Sequence, residues 1–276
     1  MGKSLKILVI AGCVVSLTGL GVTAGALASG GNLWSLSSLW RNRSQDQDSL
    51  SGTGRSGDET QSFADVRKID LEVGEGYVIV QPDASLEHEV EITVPEPEKV
   101  RCAISQEDGE LELEFTREKL FGVFGTKDPD WDGQLAVIRI PDNYQFDEVN
   151  VEVGMGAAEL YGLRAEQMNL SVDMGAIKAE DAGAARLSLD AGLGGLEYGG
   201  TVSASVEAGC DLGQITMSLS GKWDDFNYKL DSKGGNFVLG EREYAGISMK
   251  DSIENQAAKW MELECDMGSI EIDFTQ

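Results

Sequence analysis

Four glycines, Gly156, Gly175, Gly194 and Gly213, stand 19 residues apart, and each follows Met155, Met174, Leu193 or Leu212. Met267-Gly268 repeats the pair, and Gly234-Gly235 and Glu75-Gly76 are looser matches. A fixed period of this length is the mark of a chain that builds its core by stacking copies of one unit. With the Gly as position zero, seven before it stand Ile69, Val149, Met168, Leu187, Val206, Tyr228 and Met261. Five before stand Leu71, Val151, Leu170, Leu189, Ala208, Leu230 and Leu263, and three before stand Val73, Val153, Val172, Ala191, Cys210, Ser232 and Cys265. Two after stand Val78, Ala158, Ile177, Leu196, Ile215, Phe237 and Ile270; four after stand Val80, Leu160, Ala179, Tyr198, Met217, Leu239 and Ile272. Apolar residues at every second position read as strands buried on one face. The inward phase slips by one residue across the Gly, as at a two-residue corner whose backbone only a small residue tolerates.

Each repeat is therefore strand, corner, strand and short return loop. One such unit cannot bury its own apolar face, but a stack can. The expected fold class is all-β, a β-solenoid or β-helix-like stack of ~19-residue two-strand repeats. Layers taken in sequence order give seven, about 34 Å at ~4.8 Å each. A β-sandwich with chance spacing is the competing reading. Repeats occupy residues 149–276, after irregular strands over 81–148 that are expected to cover one end of the core. A second break, Glu241–Lys259, predicts a short helix at Ser252–Trp260, again as a cap against an exposed sheet edge.

The N-terminus points to export. Leu5 to Ala28 carries Lys6 as its one charge and is long enough to cross a bilayer, and Lys3 and Lys6 place its start in the cytoplasm. Residues 1–30 are expected to form a transmembrane helix that anchors the chain. Cleavage after Ala26-Leu27-Ala28 and acylation at Cys13 of a lipoprotein-like Ile10-Ala11-Gly12-Cys13 are the alternatives, although the apolar run continues past Cys13. All three leave residues 63–276 outside the cytoplasm, behind a flexible polar spacer over 31–62.

Charge narrows the partners. The chain carries 48 acidic and 22 basic residues, a formal charge of −26, and a single histidine, His88. Nucleic acid is excluded as an expected partner, since a phosphate backbone needs Lys and Arg. With one histidine, set among acids, a Ser–His–Asp hydrolase and a His-rich zinc site are nearly excluded as well. Asp128-Pro129-Asp130-Trp131-Asp132-Gly133 reads as a calcium loop, where Asp128, Asp130 and Asp132 would be the metal ligands, or as an acidic solvated turn. Its twelfth position is Arg139, in a predicted strand, where an EF-hand needs Glu. No other cofactor is expected.

Further acids align with the repeat. Glu72, Glu152, Asp190, Asp231 and Glu264 share the column four before the Gly, and Asp173, Asp211 and Asp266 the column two before. Stacked outward, they would form an acidic face that cations or a basic partner could stabilise, or that simply keeps the domain soluble. A carbohydrate-active enzyme would need two such carboxylates in a cleft; Tyr161 and Tyr198 are the nearest aromatics to hold a sugar. Cys210 and Cys265 share an inward column with the Ser232 repeat between them, which puts them two layers apart, too far for a disulfide. They read as small buried hydrophobes.

Three segments, Ile69-Asp-Leu-Glu-Val-Gly-Glu-Gly-Tyr-Val-Ile-Val, Ile138-Arg-Ile-Pro-Asp, and the closing Leu263-Glu-Cys-Asp-Met-Gly-Ser-Ile-Glu-Ile-Asp-Phe274, resemble in order the DUF4097 family. The Gly-punctuated segment with Gly12, Gly19, Gly21 and Gly25 is also similar to its members, and the resemblance covers about residues 66–276. It implies a bacterial surface β-solenoid, described as a candidate adhesin or envelope-associated protein, and it brings no catalytic residues. The expectation is thus a non-catalytic, single-pass display module at the cell membrane. Its partner would lie on a cell surface, in the cell wall or in the membrane. The alternatives are an envelope-stress accessory acting on a neighbouring membrane protein or the wall, and a carbohydrate-active enzyme.

Overall fold

A computed structural model of the chain describes residues 58–117, 133–245 and 248–275. The expected anchor and spacer, residues 1–57, lie outside the described residues, as do Asp128, Asp130 and Asp132. Among the described residues no helix is long and apolar enough to cross a membrane.

The described chain is all-β, with nineteen strands in one sheet. In order they are β1 (Glu59–Ala64), β2 (Lys68–Val73), β3 (Tyr77–Asp83), β4 (Glu89–Val94), β5 (Val100–Glu107), β6 (Glu110–Arg117) and β7 (Gln134–Pro141). Then follow β8 (Gln145–Val153), β9 (Ala157–Tyr161), β10 (Arg164–Val172), β11 (Ala176–Ala191), β12 (Gly195–Cys210) and β13 (Gln214–Ser220). The last six are β14 (Phe226–Ser232), β15 (Asn236–Leu239), β16 (Arg242–Ala245), β17 (Met249–Ile253), β18 (Lys259–Cys265) and β19 (Ser269–Thr275).

Parallel pairing sorts them into two faces. One runs β6, β2, β8, β10, the second half of β11, the second half of β12, β18 and β14. The other runs β7, β3, β9, the first half of β11, the first half of β12, β13, β19 and β15. A layer is one strand from each face joined at a corner. Register follows the repeat: Met168 pairs with both Val149 and Leu187, residues 19 positions away. Every inward column named above is buried, including the polar Ser232, whose hydroxyl donates to Gly235 O at 2.9 Å. This is a β-solenoid-like core, built as the period requires.

Four details differ from the expectation. First, the irregular segment supplies a full layer: β6 and β7 stack on β2 and β3. Antiparallel β5, β4 and β1 then finish that end, pairing edges that would otherwise invite other chains. Second, the last two layers are exchanged. After β13 the chain skips one layer through the turn at Trp223–Asp225 and builds β14 and β15. Only then do β18 and β19 insert between the strands already placed, against β12 and β13 on one side and β14 and β15 on the other.

Third, Ser252–Trp260 is not helical: β17 ends at Ile253 and β18 begins at Lys259. Buried Asn227 fixes the link in extended form, donating to Ala257 O at 2.7 Å and accepting from the amides of Asn255 at 2.9 Å and Ala257 at 3.2 Å. Tertiary hydrogen bonds override a local helical preference here. Fourth, the repeating glycines are required by closeness, not by an unusual backbone. None of Gly156, Gly175, Gly194, Gly213 or Gly268 has positive φ. A Cβ on any of them would lie only 2.2–2.5 Å from the carbonyl oxygen of the corner glycine one layer before.

Candidate functional site

The corner that demands Gly also decides what precedes it. At that position the chain is between strands, with its side chain directed away from both buried faces. Met155, Met174, Leu193, Leu212 and Met267 are accordingly 60%, 57%, 59%, 52% and 67% exposed. Backbone bonds tie these corners into consecutive layers: Met174 N donates to Gly154 O at 2.9 Å, Leu212 N to Gly192 O at 2.9 Å and Met267 N to Asp211 O at 2.8 Å. Five large apolar side chains therefore form a ridge about 19 Å long, one per layer. Scattered apolar residues on a surface are ordinary, whereas a row of this kind is a candidate contact surface. Glu75 stands at the same position at one end and Gly234 at the other, so the ridge has defined limits.

Beside the ridge runs the acidic column. Glu72 pairs in register with Glu114 and Glu152 on the neighbouring strands, so carboxylates face each other across layers. Burial, with Glu114, Glu152 and Asp70 nearby, raises the pKa of Glu72; burial and then Asp173 raise that of Glu152. Asp190 is pushed up to about 6 by the loss of water around its carboxyl, and then by the charges of Asp211 and Asp173. Its oxygen lies over Gly209, where a Cβ would be 3.2 Å from Oδ2. These acids gain by meeting a cation or a proton donor. Near the far end Lys233 performs that role within the chain, bridging Glu264 at 3.3 Å and Asp266 at 2.9 Å.

Among the described residues no three of His, Cys, Asp and Glu converge to hold a metal ion. The string Asp128, Asp130, Asp132 lies outside them, but its twelfth position does not: Arg139 sits on β7 and ion-pairs with Glu91. His88 is exposed between β3 and β4. Tyr198 is buried, its hydroxyl donating to Thr201 O at 3.1 Å, so it offers no sugar-stacking face, and the Tyr161 hydroxyl donates to Glu159 at 2.9 Å. Cys210 and Cys265, expected two layers apart, are direct register partners on β12 and β18, because β18 takes the place foreseen for β14.

A cleft of about 360 Å³ lies elsewhere, lined by Trp223, Asp224, Arg242 and Phe274 among others. Arg242 stacks over the Trp223 ring at 4.3 Å, and Trp223 stacks on Tyr228 at 4.0 Å. Asp173, Asp190 and Asp211 do not line it, so the acidic column and the cleft are separate features. Exposed aromatics are not gathered on one side: among the described residues Trp260 is the large aromatic that stands out, at 47%. The ridge was present in the sequence as the Met or Leu before each corner Gly, yet inward periodicity alone did not assign those positions a side.

A family model, Toastrack DUF4097, matches residues 66–207, half of the chain. No curated protein shows significant similarity to the sequence. Among solved structures, a putative cell adhesion protein from Clostridium sporogenes is 17% identical, covers 79% of this chain and 99% of its own, and has a TM-score of 0.40. A putative adhesin from Bacteroides fragilis is 11% identical, with 79% and 98% covered and a TM-score of 0.32. A putative lipid binding protein from Parabacteroides distasonis is 16% identical, with 81% and 98% covered and a TM-score of 0.33.

Proposed function

Because the chain belongs to the Toastrack DUF4097 family, we propose that it is a non-catalytic, membrane-anchored display module that adheres to other surfaces outside the cytoplasm through its Met/Leu ridge. The observation that carries this reading is the ridge itself, five exposed apolar side chains in consecutive layers. An exposed apolar row costs solubility unless a partner uses it. The acidic column beside it selects which partner: an apolar surface bordered by basic groups, which would relieve the repulsion around Asp190. Stacking on a rigid scaffold keeps the row straight, so a partner meets all five residues without first ordering them. The apolar N-terminal segment, Leu5 to Ala28, supports the anchoring.

The test is adhesion by the full-length protein, wild type against Met174→Ser/Leu193→Ser/Leu212→Ser, on immobilised envelope glycan and on foreign cells. The ridge side chains are exposed, so the variant should fold as before and lose adhesion at least tenfold. Equal adhesion by both proteins would refute the ridge. Binding confined to a membrane protein of the producing cell would replace adhesion with an envelope-accessory role, and hydrolysis of the glycan would replace it with catalysis.

A further inference from the structure

The exchange of the last two layers brings together two sulfurs that the order of the repeats keeps apart. Cys210 ends β12 and Cys265 ends β18, and the two are register partners in a parallel pair. Parallel neighbours lie ~4.8 Å apart, inside the Cα separation of ~4.4–6.8 Å that a disulfide spans. Both side chains point into the core, at 3% and 0% exposure, and both thiols are free in this structure. Space for the sulfurs comes from corner glycines: a Cβ on Gly268 would lie 2.5 Å from Cys210 Sγ, and one on Gly235 would lie 2.3 Å from Cys265 Sγ. The sulfurs share a hydrogen bond that lowers the pKa of Cys265, against the opposing effect of burial, and raises that of Cys210.

We propose that Cys210 and Cys265 close an intramolecular disulfide that locks β18 and β19 into their inserted layer. The step is thiol–disulfide exchange with a disulfide oxidant. The Cys265 thiolate attacks one sulfur of the oxidant and expels the other half as a thiolate, leaving a mixed disulfide. Cys210 then gives up its proton to water, and its sulfur attacks Cys265 Sγ and expels the second half as a thiolate. The two cysteines give up two protons and two electrons, and the oxidant becomes two thiols. Because both sulfurs are buried, exchange precedes the docking of β18 and β19 or accompanies their transient opening. The bond clasps the place where chain order and layer order disagree, which is where insertion of the terminal strands is most easily reversed. An oxidising compartment, which the proposed export supplies, preserves such a bond.

The experiment uses the full-length chain as Cys13→Ser/Cys102→Ser, so that only this pair remains. The protein is unfolded, refolded in oxidised and reduced glutathione, digested without reductant and analysed by mass spectrometry. The expected result is one linked peptide pair containing Cys210 and Cys265, two hydrogens lighter than the reduced peptides. Its folded form should melt about 8 °C or more above the reduced form, and a reductant should abolish that gain. Recovery of both cysteines as alkylated thiols, with native β circular dichroism, would overturn the proposal. So would a linked chain that fails to recover β structure. Because the reaction is run in vitro, failure here says nothing against export or adhesion, and loss of adhesion says nothing against the bond.

Discussion

Substitution of a corner glycine tests the packing on which the ridge depends. In Gly175→Ala the new Cβ would lie 2.2 Å from Gly156 O and 2.8 Å from Val153 Cγ1. A carbon and an oxygen touch at ~3.2 Å, so about 1 Å of overlap must be relieved by moving backbone. The same carbonyl accepts the interlayer bond from Ala176 N at 3.0 Å, which the shift would stretch. Overpacking costs roughly 1–3 kcal/mol and a weakened buried hydrogen bond about 1 kcal/mol more, so about 3 kcal/mol is expected. For a domain of this size that is a fall in melting temperature of about 6–12 °C. Gly195→Ala is the control, because a Cβ there meets nothing within 4 Å. It should be neutral or slightly stabilising, within about 1 kcal/mol, through a less flexible unfolded chain. Thermal melts and urea titrations of the two variants measure the difference directly. If they lie within about 0.5 kcal/mol of each other, interlayer closeness is not what the repeating glycines serve.

Protonation of Asp190 should stabilise the fold. Asp190 has a folded pKa of about 6, above the ordinary carboxylate value, so the folded state binds the proton more tightly. Stability then rises as pH falls from about 7 toward 4 and is flat above 7. Solvent screening at this surface position reduces the contribution to about 1 kcal/mol. Asp190→Asn should therefore raise the melting temperature at pH 7.5 by about 2–4 °C and flatten the profile between pH 5 and 7.5; a steeper profile would reverse the sign. Asn227→Ala should cost about 2–4 kcal/mol, since the amides of Asn255 and Ala257 lose their buried acceptor. Hydrogen exchange should then quicken first in β18, and uniform loss of protection would contradict that hook. Met174→Ser, on the open ridge, should leave the melting temperature within about 2 °C.

The inward columns could be read because burial on a sheet face imposes a period of two, and each such residue is in the core. Layer order could not, because every repeat presents similar inward residues and stacks acceptably on any other. The place of β18 beside β12 is held by long-range bonds such as that from Lys259 Nζ to Val202 O at 2.9 Å, which leave no periodic trace. The corner glycines were legible as corners, but their reason, a carbonyl oxygen one layer away, is a property of the stack and not of a single repeat. The ridge needed the same knowledge, since only the geometry of the corner turns Met155 and its equivalents outward. The acidic column is a related case. Its alignment was visible, whereas what sets Asp190 apart, the loss of water around its carboxyl and then the charges of Asp211 and Asp173 in adjacent layers, is a property of the stack.

The most direct measurement places a photo-crosslinking amino acid at Leu193, in the middle of the ridge, and at exposed Glu197 on the neighbouring face as the control. Both full-length proteins are irradiated on cells during adhesion, and the adducts are identified by mass spectrometry. The account predicts one reproducible adduct from position 193, carrying basic residues beside its apolar contact, and none from position 197. Equal labelling from both positions, or adducts from 197 alone, would contradict it.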